Sequence, residues 1–109
     1  MSNAIATTIL QQLGGSRFAA MTGARDFVAI DRGLRMRLPR NMSKANYLCI
    51  TLATDDTYTM RFYRYTMGRL RKDYTWTPDK LTEVRLVDGV YWDALRRIFT
   101  ETTGMDTTL

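Results

Sequence analysis

Histidine is absent from the 109-residue chain, and cysteine occurs once, at Cys49. The missing imidazole removes the usual neutral-pH general base, the commonest metal ligand and the side chain that switches charge near neutrality. Ser-His-Asp and Cys-His catalysis go with it, as does every zinc pattern that needs histidine. One cysteine makes neither an internal disulfide nor a thiolate cluster. No apolar run approaches the roughly 20 residues that span a bilayer. No secretory signal pattern opens the chain, and no Gly-x-Gly-x-x-Gly or phosphate-loop pattern occurs. These absences point to a non-enzymatic protein with no cofactor or metal, placed in a reducing cytoplasm and away from membranes. An enzyme here would rest on carboxylates plus a metal, or on Lys and Tyr, and no spacing nominates such a set.

What is present reads as one folded domain. Residues are 45% hydrophobic and 25% charged, an ordinary globular balance, and the length is too short for two self-sufficient cores. The formal charge of +5 is unevenly spread. Residues 32–72 hold ten basic side chains against Asp55 and Asp56, for +8, while the remainder carries −3. Of the 16 cations, 13 are arginine, the residue that forks phosphates and stacks on flat rings.

Periodicity assigns the elements. Ile5, Ile9 and Leu13, with Ala6 and Leu10 beside them, predict a helix over about residues 4–13, capped by Ser2 or Asn3 and stopped by Gly14-Gly15. Short segments at Arg17–Met21 and Phe27–Ile30 follow, then the alternation Leu34-Arg35-Met36-Arg37-Leu38, which ends at Pro39. Leu48, Ile50 and Leu52 alternate, and so do Tyr58, Met60 and Phe62, across a loop with Asp55-Asp56. A two-residue loop would mix their faces. An odd loop of three or five residues sets Leu52 opposite Met60 or Tyr58, so the odd loop is expected. Residues 65–82, punctuated by Gly68 and Pro78, predict a long loop or a protruding hairpin. Glu83–Val87 predicts a further strand with Val84 and Leu86 inward. Asp88 caps a last helix over about 90–103, with Tyr91, Trp92, Leu95, Ile98, Phe99 and Thr102 as its apolar stripe. Asp93 pairs with Arg97 on its outer face, and Gly104 ends it. The order helix, four or five antiparallel strands, helix is an α+β fold with both helices packed on the sheet.

Two sets of residues carry candidate chemistry. With the even-numbered positions inward, Arg35, Arg37, Tyr47, Thr51, Thr59, Arg61 and Tyr63 point out of the other face, and Arg85 with them. Guanidiniums interleaved with phenols suit single-stranded nucleic acid, since Arg neutralises phosphates and aromatic rings stack bases. Alternating Arg and Thr is also what a solvated antiparallel face looks like. The second set is the segment Arg61–Lys72, with five cations and no acid. There Arg64, Arg69, Arg71 and Lys72, with Tyr65, would clamp a phosphate backbone or protect a sheet edge by charge. Asp55-Asp56 reads as a turn rather than a metal site. Cys49 reads as a small apolar strand residue, and Tyr91-Trp92 as core.

Three segments carry a resemblance. They are Gln12-Leu13-Gly14-Gly15 with Phe18-Ala19-Ala20-Met21-Thr22-Gly23-Ala24, then Leu38-Pro39-Arg40-Asn41, then Phe99-Thr100-Glu101-Thr102-Thr103-Gly104. Together they resemble a group of small proteins encoded by phages and other mobile elements, with residues 65–82 as an elaboration. The resemblance implies a small accessory protein acting in a bacterial host cell, of a kind that handles nucleic acid or disables host defences. It supplies no activity and no site residues. Two functions therefore stand. One is a nucleic-acid-binding protein in which Arg35, Arg37, Arg61, Arg64, Arg69, Arg71 and Lys72 meet phosphates and Tyr47, Tyr63 and Tyr65 stack. The other is an anti-defence or host-takeover protein that inhibits a host protein complex by direct binding. A basic edge bearing Tyr74 and Trp76 also allows pairing with a second copy of the chain.

Overall fold

The computed structural model describes residues 4–105, and the cap expected at Ser2 or Asn3 lies outside them. The elements are α1 (Ala4–Leu13), α2 (Ser16–Thr22), β1 (Arg25–Ile30), β2 (Gly33–Arg37), β3 (Tyr47–Leu52), β4 (Tyr58–Thr66), β5 (Lys80–Val90), a 3-10 turn (Trp92–Ala94) and α3 (Leu95–Thr103). The five strands form one antiparallel sheet in the order β1-β2-β3-β4-β5, so each strand lies beside its neighbour in the chain. This is the α+β architecture that the alternation pattern predicts, with α2 added from the segment Arg17–Met21.

Strand alternation sends the even-numbered side chains to one face. Leu34, Met36, Leu48, Ile50, Met60 and Phe62 are buried there beneath Ile9 and Leu13 of α1, Phe18 of α2 and Leu95, Ile98 and Phe99 of α3. Phe18 meets Phe99 edge-on at 5.0 Å between ring centroids, and Phe62 lies 6.5 Å from Phe99. Each fully buried aromatic of this kind contributes about 1.5–3 kcal/mol of transfer free energy. The β3–β4 register sets Leu48 opposite Phe62, Ile50 opposite Met60 and Leu52 opposite Tyr58, the five-residue member of the odd-loop pair.

Helices α2 and α3 end alike. The Thr22 hydroxyl donates to the Phe18 carbonyl and the Thr103 hydroxyl to the Phe99 carbonyl, both at 2.8 Å. Gly23 (φ 74°) and Gly104 (φ 76°) then take the left-handed conformation that closes a helix. The connection after β2 docks on both ends. Pro39 lies against Gly23, and the Met42 N–H donates to the Thr103 carbonyl at 3.1 Å. The end of α2, the connection after β2 and the end of α3 therefore meet at one end of the core.

Six expectations, all in β5 and the last helix, are corrected. In β5 the register against β4 shifts twice, once between Tyr63 and Phe62 and once between Met60 and Tyr58. Each shift inserts an extra residue and turns the following side chains over. Val87, opposite Met60, is the half-buried residue, while Val84 and Leu86 are exposed. Arg85, opposite Phe62, lies on the helix side, where its Nη1 donates to the Thr102 hydroxyl at 2.7 Å, so it does not share the outer face. Asp88 belongs to β5 and accepts from the Thr59 hydroxyl at 3.1 Å instead of capping a helix. The last helix begins only at Leu95, which leaves Tyr91 and Trp92 exposed, and Arg97 pairs with Glu101 at 3.4 Å rather than with Asp93. Among the described residues no helix is long and apolar enough to cross a membrane.

Candidate nucleic-acid interface

The odd-numbered face of β2, β3 and β4 carries the arginines and tyrosines in cross-strand rows. Arg25, Arg37, Tyr47, Tyr63 and Glu83 form one row across all five strands. Val28, Arg35, Cys49, Arg61 and Leu86 form the next. The helices occupy the opposite face, so Arg35, Arg37 and Arg61 are exposed. Arg25 directly faces Arg37, a like-charge pair that destabilises a sheet unless something anionic offsets it. Among the described residues Arg61 is the cation of this face in an ion pair, with Glu83 at 3.0 Å.

The tyrosines are bound to one another. Tyr47 stacks on Tyr63 at 5.4 Å with 10° between planes, and Tyr65 meets Tyr47 edge-on at 6.3 Å. The Arg61 guanidinium sits 5.5 Å over the Tyr63 ring. At 9% exposure, Tyr63 has no ring face left for a base. Burial, reinforced by the Cys49 thiol 3.8 Å away, pushes the Tyr63 hydroxyl up to about 12. The Tyr65 hydroxyl donates to Asp79, which raises the phenol and holds the carboxylate below its ordinary value of 3.8. This chain of contacts joins the sheet to the base of the arm described next. The structure thus brings Arg35, Arg37, Tyr47, Arg61 and Tyr63 together, with Tyr65 at their margin.

Beyond Tyr63, β4 continues with β5 as its strand partner, and the two project as a ribbon. Asn46 ties the ribbon down as a peptide group would. Its amide donates to the Tyr65 carbonyl and accepts from the Tyr65 N–H, both at 2.8 Å. At Gly68 a Cβ would lie 2.1 Å from the Thr77 carbonyl oxygen, so only glycine fits where the strands close in. An isolated bridge between Leu70 and Trp76 extends the ribbon, and every residue from Arg69 to Trp76 is exposed. Residues 65–82 are therefore an ordered hairpin arm. Its tip holds Arg69, Arg71 and Lys72 beside Tyr74 (85% exposed) and Trp76 (71%).

Arg64 belongs to neither set. Its Nη1 donates to the Lys44 carbonyl at 2.9 Å, and it lines a groove of about 650 Å³ with Leu38, Pro39, Arg40, Asn41, Lys44 and Asn46. Three cations and no carboxylate border that groove. Sequence reasoning missed Arg40 and Lys44 as its partners, because the loop that brings them to β4 has no periodicity to read. Among the described residues no three His, Cys, Asp or Glu side chains gather to hold a metal ion. Comparison with protein-family models, with curated proteins and with solved structures finds no match for this chain.

Proposed function

We propose that the protein is a non-enzymatic accessory protein of a phage or other mobile element that binds single-stranded nucleic acid in the cytoplasm of a bacterial host. The observation that carries this reading is the juxtaposition of Arg25 with Arg37, beside Arg35, on a sheet face that no helix covers. Like charges kept side by side on an open sheet match a polyanion spanning them. Arg35 and Arg37 meet phosphates, Arg61 is held back by Glu83, and Arg64 with Arg40 and Lys44 extends the cationic track along the groove. The arm cations Arg69, Arg71 and Lys72 continue it outward.

Oligonucleotide retardation over a salt series tests this. Affinity should fall steeply with salt, and Arg35→Glu with Arg37→Glu should abolish binding and flatten the slope by about 0.7 for each lost phosphate contact. Absence of retardation at low salt would end the proposal. A host protein partner is the second reading, favoured by the edge strand β5, where Leu81, Val84 and Leu86 are exposed. A stable host complex indifferent to free nucleic acid would select it.

A further inference from the structure

Two turns flank β4, and they are built on one frame. In the first, the Ala53 N–H donates to the Thr57 carbonyl at 2.8 Å and the Asp56 N–H to the Ala53 carbonyl at 3.2 Å. In the second, the Arg71 N–H donates to the Thr75 carbonyl at 2.8 Å and the Tyr74 N–H to the Arg71 carbonyl at 3.0 Å. Thr57 donates its N–H (3.1 Å) and hydroxyl (2.6 Å) to Asp55 Oδ1, and Thr75 does the same to Asp73 Oδ1 at 3.2 and 2.6 Å. The residue between aspartate and threonine is left-handed in both, Asp56 at φ 66° and Tyr74 at φ 67°. That position favours Gly or Asn, and Asp tolerates it through local hydrogen bonding. An aromatic residue there is strained. The first turn demonstrates that the frame does not need the ring.

Among the described residues nothing covers that ring either, since Tyr74 is 85% exposed. Trp76, 71% exposed, stands two residues away, opposite Leu70 in the ribbon. Arg69, Arg71 and Lys72 surround them, and the one acid among them, Asp73, is occupied by Thr75. A strained backbone that holds an aromatic ring in water, next to a tryptophan and three cations, suits a flat partner bearing negative charge. We infer that Tyr74 and Trp76 at the arm tip form a stacking platform for unpaired bases, with Arg69, Arg71 and Lys72 on the adjoining phosphates. The inference rests on the nucleic-acid reading and moves base contact from the sheet tyrosines, whose rings are closed on one another, to the arm.

The test uses a Trp92→Phe background, in which Trp76 is the sole tryptophan. A single-stranded oligonucleotide of mixed sequence is titrated beside an abasic strand of equal length. The base-bearing strand should quench Trp76 and bind about tenfold tighter than the abasic one. Tyr74→Gly should erase most of that difference without lowering the melting temperature, because glycine relieves the left-handed position. Read by oligonucleotide retardation, since no tryptophan remains to report, Trp76→Ala should erase it as well, and Trp76→Phe should restore most of it. Equal binding of both strands, or a Tyr74→Gly protein that still prefers bases tenfold, overturns the inference and leaves phosphate binding standing. No binding of either strand at low salt overturns the inference and the nucleic-acid reading together.

Discussion

The turn at Ala53–Thr57 and the turn at Arg71–Thr75 have the same hydrogen bonds and opposite surroundings. Thr57 is 8% exposed and its neighbour Tyr58 is 5% exposed, so the first turn closes directly on the core. The second ends a two-stranded ribbon in which every residue from Arg69 to Trp76 faces solvent. The comparison separates two jobs. A five-residue frame of an aspartate, one left-handed residue and a threonine fixes the backbone in either place. What stands behind the frame decides whether it seals a core or displays side chains.

Removing the aspartate of each turn should break the comparison most clearly. Asp55→Ala deprives buried Thr57 of two hydrogen bonds and should clearly lower the midpoint of a urea melt. Asp73→Ala removes the same two bonds from an exposed residue. It should leave the urea midpoint nearly unchanged and instead speed amide exchange in the arm. Equal global losses would mean that the arm unfolds together with the body.

Acid should sharpen the contrast next. Asp55, Asp73 and Asp79 each sit below the ordinary 3.8, chiefly because a hydroxyl from Thr57, Thr75 and Tyr65 respectively donates to them. A depressed carboxyl contributes stability above 3.8 and loses it as pH falls through its lower folded value. The arm depends on two such groups and the body turn on one, so exchange protection in the arm should fade first on acidification from pH 5. At the alkaline end the sign reverses. Tyr63, raised from 10.0 to about 12, contributes stability that is complete below 10 and is lost as pH climbs toward 12, where the sheet face should loosen. The smallest effect belongs to the ion pair that lies across β4 and β5 on the outer face. Glu83→Gln should change stability by less than about 1 kcal/mol, since both partners are half-exposed, while freeing Arg61 to raise oligonucleotide affinity a few-fold. An unchanged affinity would place Arg61 outside the interface.

The fold was legible wherever one face is apolar. Leu48, Ile50, Leu52, Tyr58, Met60 and Phe62 keep strict alternation, and a single slip would have exposed all of them, so parity alone predicted an odd loop. It failed in β5 because two bulges reset the alternation, and nothing apolar marks Val84 as the extra residue. It failed at α2 because seven residues give too few turns for a helical period to stand out. Tyr91 and Trp92 misled through composition, since large aromatics at a helix start usually pack inward. The candidate face was legible as a set of residues. Its internal pairing was not, because stacking of Tyr47 on Tyr63 depends on register to the residue. The recurring Asp-x-Thr at 55–57 and 73–75 was present in the chain and would have announced the second turn.

The meander order has a kinetic side. Every strand's partner is the next strand in the chain, so the sheet can close hairpin by hairpin without a long excursion being ordered first. The two ends of the chain are joined where α1 contacts α3 and where Phe18 of α2 meets Phe99. Each strand pairing therefore closes a short loop, whereas the contact between the first and the last helix closes nearly the whole chain.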